Sequence, residues 1–133
     1  MQQISTEIKS SLSDMRYYTY GDYYLKDNGD LKFEIVDHKN DDYNYLTLVH
    51  ELLEYFLLRK KGVNINDIDT YDKIFEDDPE RVAKYYEPGA DPTCPYKVEH
   101  DYANKVVKEL CDTTGVNYED WLTIDLDGKT NIK

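Results

Sequence analysis

Residues 46–58 read Leu46-Thr-Leu-Val-His50-Glu51-Leu-Leu-Glu54-Tyr-Phe-Leu-Leu58, and the rest of the chain is predicted to pack around this stretch. Apolar residues recur every three to four positions, which is typical of an α-helix. They cover most of the helix circumference, so the helix is predicted to be buried on most sides; these residues are Leu48, Val49, Leu52, Leu53, Tyr55, Phe56 and Leu57. The remaining narrow arc is polar and contains Thr47, His50, Glu51 and Glu54.

The polar arc has the spacing of a metal site. His50 and Glu54 are four residues apart, so on a helix their side chains point the same way, roughly 6 Å apart. His-Glu-x-x-His uses this spacing to bind zinc, and here a glutamate stands in place of the second histidine. We therefore predict a divalent metal, zinc in the first instance, bound by His50 and Glu54. Glu51 is predicted to be the general base that acts on metal-bound water. If the arc is only the solvent face of the helix, His50 has no such role.

A third ligand has to come from another part of the chain, because catalytic zinc is commonly held by three protein groups. His100 is the best candidate, since on a predicted helix over residues 96–112 it falls at the edge of the apolar face. Two histidines and one carboxylate form a ligand set known for catalytic zinc. Glu99 also projects into the apolar arc of that helix and is an alternative ligand.

Asp72 is a second unusual carboxylate. It shares the apolar face of a predicted helix over residues 65–77 with Ile68 and Phe75. A carboxylate on such a face is costly to bury unless it has a partner. Asp72 is therefore interpreted as a residue that orients a ligand histidine, as a ligand itself, or as part of an ordinary hydrogen bond between helices.

The remaining pattern predicts an α+β fold. A turn at residues 27–30 joins two strands, near 17–26 and 31–37, into an antiparallel hairpin or small sheet. Three to four helices are expected to pack on it, at about 43–61, 65–77, 79–85 and 96–112. Residues 1–14 and 127–133 are predicted to be loosely ordered ends of a single domain that spans residues 1–133.

Composition limits the classes of partner. The 133-residue chain carries a net charge of −12, so direct binding to nucleic-acid phosphates or anionic membranes is not expected. There is no run of apolar residues long enough for a membrane span and no signal peptide, which favours a cytoplasmic protein. Cys94 and Cys111 match no disulfide framework or metal pair.

The chain resembles a group of small bacterial and phage proteins with a zincin-like pattern. The resemblance spans roughly residues 15–110 and rests on Gly21-Asp22-Tyr23-Tyr24, Leu48-Val49-His50-Glu51-Leu52-Leu53-Glu54, Gly62-Val63, Ile68-Asp69-Thr70-Tyr71-Asp72, Phe75-Glu76, Glu87-Pro88-Gly89-Ala90-Asp91-Pro92, Pro95-Tyr96 and His100. It implies a metallopeptidase-like core, in which a small sheet and further helices surround the helix that carries His50 and Glu54. It places Glu51 as the general base, and it names no substrate. Glu54 departs from the second histidine of true zincins, which leaves divalent ions other than zinc open.

Three functions compete at this point. The first is a metal-dependent hydrolase, most simply a peptidase, with Glu51 as general base and His50, Glu54 and His100 as ligands. The second is a noncatalytic module in which the same residues hold a structural metal or only hydrogen bonds. The third is an acidic interaction protein whose charge imitates nucleic acid for a basic partner. The substrate, which the first hypothesis takes to be a peptide, is not identified by the sequence.

Overall fold

The chain forms three β-strands and then five α-helices within residues 1–126, the part that the computed structural model describes. The strands are β1 (Ile4–Lys9), β2 (Gly21–Leu25) and β3 (Leu31–Val36). The helices are α1 (Asp41–Lys61), α2 (Ile65–Glu76), α3 (Pro79–Tyr85), α4 (Lys97–Thr114) and α5 (Tyr118–Leu122). This arrangement confirms the predicted α+β class. None of the described helices is both long and apolar enough to cross a membrane.

The predicted hairpin is present and forms one half of the sheet. β2 and β3 pair antiparallel with Tyr23 opposite Phe33. The turn between them is closed by the Lys26 amide, which donates to the Asp30 carbonyl at 2.8 Å. β2 begins at Gly21, later than predicted, and residues 17–20 instead form an irregular segment along the wall of a cavity.

The N-terminal segment differs from the prediction. Ile4–Lys9, expected to be loosely ordered, form β1 and pair parallel to β3 with Ile4 opposite Leu31. The strand order is β1-β3-β2, so the sheet is mixed and not purely antiparallel. β1 is an edge strand whose side chains are nearly all exposed, and a strand of this kind has only a weak hydrophobic pattern in the sequence. The predicted loose ordering of residues 127–133 lies outside the described residues.

Helix α1 ends at Lys61 as predicted and begins at Asp41, slightly before the predicted start, and local signals explain both of its ends. The Asn40 side chain accepts a hydrogen bond from the Tyr43 amide and caps the first turn. Gly62 adopts a φ of 80° and ends the helix, as glycine commonly does at this position.

Helix α1 is less buried than predicted. Its polar arc faces inward, and part of its apolar arc is exposed, since Leu52 and Phe56 are 40% and 55% exposed. The buried residues of the helix are Asn44, Leu46, Thr47, His50, Glu54, Tyr55 and Leu58. Burial of a histidine and a glutamate costs free energy unless each has a polar partner. The inward arc therefore has to be explained by the contacts that His50 and Glu54 make.

Two apolar clusters flank this arc. One lies between the sheet and the helices and includes Phe33 and Leu58, whereas the other lies between α1, α4 and α5 and includes Leu46 and Val107. Leu46, His50, Glu54 and Leu58 follow at intervals of four on one face of α1. The polar group thus lies between two apolar clusters, whose packing restrains its side chains.

Candidate metal centre

Helix α1 brings the first two candidate ligands together. His50 Nε2 lies 3.3 Å from Glu54 Oε2, and both side chains are buried. The contact follows from the four-residue spacing on one helix face. The sequence prediction that these two side chains form one group is confirmed.

Helix α4 contributes the third. His100 Nδ1 lies 3.2 Å from the same Glu54 Oε2, and the rings of His50 and His100 have centroids 4.8 Å apart. One donor atom from each of the three residues lies within 4.8 Å of the other two. Two imidazoles and a carboxylate therefore converge in the interior, and this buried group can hold a metal ion.

The donor chemistry of the group fits a metal ion. Metal ligands must be deprotonated, and burial disfavours the charged form of Glu54, but hydrogen bonds from His100 and His50 hold its pKa at about 2. His50 Nδ1 is buried and has no hydrogen-bond partner in residues 1–126. In the His50 ring, Nε2 therefore faces Glu54, whereas Nδ1 makes no hydrogen bond to any described side chain.

Three residues that the sequence prediction did not include support the ligands. The Tyr23 hydroxyl donates to Glu54 Oε1 at 2.6 Å, which leaves Oε2 for the two histidines. Glu87 Oε1 and Asn104 Nδ2 lie 3.1 and 3.3 Å from His100 Nε2. A proton on Nε2 donated to Glu87 would leave the Nδ1 lone pair facing the site, as in the carboxylate–histidine pairs that orient metal ligands.

The sequence contained a signal for only one of these supporting residues. Asn104 lies four residues after His100 and therefore on the same face of α4. Tyr23 and Glu87 come from a strand and a loop, and no spacing rule relates either of them to α1 or α4.

Burial opposes protonation of His100, but its hydrogen bonds to Glu54 and Glu87 outweigh burial and raise its pKa to about 11. Without metal, a proton on His100 thus compensates the negative charge of Glu54. A metal ion would have to displace that proton, because only the neutral imidazole is a ligand.

Gly89 fixes the position of the His100 ring. A β-carbon added at Gly89 would lie 2.5 Å from three atoms of that ring, closer than nonbonded atoms approach. We expect Gly89→Ala to displace His100 and weaken metal binding by about 10- to 100-fold, the range known for changes beside a ligand. Competition with a chromophoric chelator measures this affinity.

Gly21→Ala is the matched control for this prediction. The β-carbon it adds would lie 2.5 Å from Glu51 Oε1, and its three nearest neighbours are all atoms of the Glu51 side chain, which is not one of the three candidate ligands. Metal affinity should therefore stay near that of the unmodified protein. Equal affinities for both glycine variants would show that His100 is not held by Gly89.

Glu51 lies in the same cavity wall as the candidate ligands. It is partly buried and makes no hydrogen bond or ion pair within residues 1–126. Burial raises its pKa well above the ordinary value, and the negative charges of Glu54 and Asp22 act in the same direction. Glu51 is thus a carboxyl group without a hydrogen-bond partner beside the three candidate ligands, and a cation bound there would oppose the rise in its pKa.

Asp72 is not among the grouped donors. The Tyr96 hydroxyl donates to its Oδ1 at 2.5 Å and the Tyr17 hydroxyl to its Oδ2 at 2.9 Å. Both oxygens are therefore occupied, and neither contacts a ligand histidine. Of the three predicted roles, the structure supports the hydrogen bond between elements, which links α2 to the start of α4.

The titration of Asp72 should be visible in the stability of the metal-free protein. Burial raises its pKa from 3.8 to about 7, and only part of this is offset by the tyrosine hydrogen bonds. Between these values the folded state binds more protons than the unfolded state, so the contribution of Asp72 to stability falls as pH rises. Asp72→Asn should lack this fall.

Urea unfolding in the presence of a chelator, at several pH values from about 4 to about 8, tests the point. The free energy of unfolding of Asp72→Asn relative to the unmodified protein should rise with pH, by on the order of 4 kcal/mol in total. Asp77→Asn, which changes an exposed carboxylate at the C-terminal end of the same helix, is the control. A relative stability that does not change with pH would contradict the prediction.

Glu99, the alternative ligand, is not part of the group. Its Oε1 accepts a hydrogen bond from Lys61 Nζ at 2.5 Å, and it lines a separate surface depression beside Tyr102. Glu99 and His100 are adjacent on α4 and point in directions about 100° apart, so only one of them can face α1 at the level of Glu54. The structure brings His100 there.

The metal group opens onto a cavity of about 360 Å³, within the usual size range of ligand pockets. Its other walls are formed by residues 17–23, by α2 from Ile68 to Glu76, by residues 85–89 and by residues 121–124. The cavity gives a small molecule or one end of a chain access to His50, Glu51 and His100.

Comparisons with protein-family models, with curated proteins and with solved structures gave no match to this chain.

Proposed function

We propose that the protein is a metal-dependent hydrolase, most simply a peptidase, that binds zinc through His50, Glu54 and His100. The observation that supports this is the convergence of two imidazoles and one carboxylate on a cavity wall that also carries the unpartnered Glu51. Two histidines and a glutamate are a ligand set used by zinc peptidases.

The number of donors favours a catalytic over a structural site. Within residues 1–126 three donors group together, and structural zinc usually has four. A tetrahedral ion bound by three residues keeps one position for water or substrate. The accessible cavity supports the same assignment, because a structural site needs no entrance.

When bound, the metal would supply Lewis-acid polarisation of the scissile carbonyl and would lower the pKa of a water molecule. Glu51 accepts a proton from the attacking water as the water oxygen bonds to the carbonyl carbon. The C–N bond then breaks, and the same proton passes from Glu51 to the leaving amine. Tyr23 holds Glu54 in place during these steps through its hydrogen bond to Oε1.

Zinc is proposed over harder cations because imidazole nitrogen is the majority donor. Magnesium and calcium prefer oxygen ligands throughout, which this group does not provide. Manganese and iron also accept two histidines and a carboxylate, so the metal has to be identified by measurement.

The test is elemental analysis of protein purified without chelator, combined with cleavage of a mixed-sequence peptide library followed by mass spectrometry. We expect about one zinc per chain. Cleavage should stop on treatment with a chelator and return with added zinc. Absence of a stoichiometric transition metal, even after dialysis against zinc, would overturn the proposal.

A further inference from the structure

The wall of the cavity is strongly acidic. Seven of the residues that line it are aspartate or glutamate, and none in residues 1–126 is lysine or arginine. A cavity with one sign of charge concentrates ligands of the opposite sign. Most of these carboxylates, however, already have partners, so the question is which of them remain available to a ligand.

Internal contacts account for five of the seven. Asp22 and Asp69 both form ion pairs with Arg16, at 2.8 and 3.1 Å. Glu54 is one of the three candidate metal ligands. Glu87 accepts a hydrogen bond from His100, and Asp72 accepts hydrogen bonds from two tyrosines. The remaining two carboxylates are Glu51, which has a catalytic role in the proposed mechanism, and Glu76.

Glu76 therefore has no assigned role. It is partly buried in the last turn of α2 and makes no hydrogen bond or ion pair with any residue in 1–126. Burial, with a smaller contribution from Asp77, raises its pKa to about 7. A partly buried carboxylate that lacks a counter-ion is unfavourable unless a ligand supplies one.

Tyrosines line the same cavity as Glu76, and tyrosine ring faces attract cations. Tyr85 and Tyr86 line the wall beside Glu87. The protein itself places cations over such rings: Lys84 Nζ lies 5.2 Å from the centroid of the Tyr85 ring, and the Arg16 guanidinium lies 4.2 Å from the centroid of the Tyr24 ring. Carboxylate and aromatic faces together are the surroundings that suit a guanidinium or an alkylammonium group.

We propose that the cavity recognises a positively charged side chain, arginine or lysine, of a peptide substrate, and that Glu76 is its counter-ion. The peptide part of this inference rests on the proposed hydrolase function. The cationic part rests on the charge of the walls and on Glu76 alone. His50, Glu54 and His100 line the same cavity as Glu76, so one peptide that enters the cavity has access to both.

The experiment measures binding and cleavage separately. Fluorescein-labelled peptides that differ only in arginine or citrulline, its uncharged isostere, are titrated with zinc-loaded protein and followed by fluorescence anisotropy. The arginine peptide should bind at least about tenfold more tightly, as expected for a charge-assisted hydrogen bond. Glu76→Gln should remove most of that preference.

Asp77→Asn is the matched control, because it removes one negative charge from the next residue, which is exposed and outside the cavity wall. It should keep the preference for arginine. The zinc content of both variants shows whether the site is intact. Equal binding of the two peptides, a preference that survives Glu76→Gln, or no binding of either peptide would overturn the inference.

Cleavage distinguishes the two proposals. Cleavage of both peptides at equal kcat/KM would support the hydrolase and overturn the basic specificity. Selective binding of the arginine peptide without any cleavage would support the cation site and overturn the hydrolase. Agmatine carries a guanidinium without a peptide, and agmatine binding as tight as that of the arginine peptide would overturn the peptide part.

Discussion

The Glu51→Gln variant is expected to keep about one metal ion per chain and to lose peptide hydrolysis by about 10²- to 10⁴-fold. Glutamine has nearly the same size as glutamate and cannot accept the proton of the attacking water. Glu51 is not one of the three grouped donors, so metal binding should be unaffected. Elemental analysis and kcat, measured on the same preparation, test both halves of this expectation.

Glu54→Gln provides the contrast for that experiment. It removes the charge of a ligand that both histidines contact, so it should lose metal as well as activity. Asp42→Asn changes an exposed carboxylate near the start of the same helix and should leave both quantities unchanged. If Glu51→Gln were to hydrolyse peptide at the rate of the unmodified protein, the proton would have to be taken by another group.

The ligand pair on α1 could be predicted because helical geometry fixes it. A spacing of four residues determines that His50 and Glu54 lie together, whatever surrounds the helix. His100 could be proposed from its position on its own helix, and its convergence with the pair is confirmed. In each case the evidence lay within one regular element.

The exposed side of α1 could not be predicted by the same reasoning. Hydrophobicity favoured burial of Leu52 and Phe56, which are exposed. The polar pair can be buried because side chains from two other elements, Tyr23 and His100, satisfy it. A periodicity argument on a single helix does not include partners that arrive from a distance in the sequence.

The partners of the buried carboxylates also could not be predicted from their positions on a single helix. Asp72 and Glu99 both lie on faces that suggested a ligand, yet one accepts hydrogen bonds from two tyrosines and the other pairs with Lys61. Glu87, in an irregular loop, is the carboxylate that contacts a ligand histidine. Which acid reaches His100 depends on the path of that loop, and the backbone of Gly89 has to pass against the ring.

His100→Ala is expected to lose more metal affinity than Glu87→Ala, and this difference separates a ligand from a residue that only orients one. Removal of a carboxylate that hydrogen-bonds a ligand typically costs about 10- to 100-fold in affinity. Removal of His100 leaves two of the three donors, so the loss should exceed that range. His50→Ala should behave like His100→Ala.

His38 is the natural control, because it is the third histidine of the chain, is equally buried and lines the same cavity. Its Nδ1 donates to the Val36 carbonyl at 2.7 Å and its Nε2 lies 3.1 Å from Thr47 Oγ1, so neither nitrogen is directed at the metal group. His38→Gln is expected to lower the thermal midpoint of the protein and to leave its metal affinity unchanged.

Competition with a chromophoric chelator gives the four affinities, and circular dichroism at the same temperature verifies that each variant is folded. Metal affinity is predicted to be highest for His38→Gln, lower for Glu87→Ala, and lowest for His50→Ala and His100→Ala. Folded His100→Ala with undiminished affinity would remove His100 from the ligand set. The remaining pair on α1 would then be too few for a catalytic zinc site, since such sites use three protein ligands.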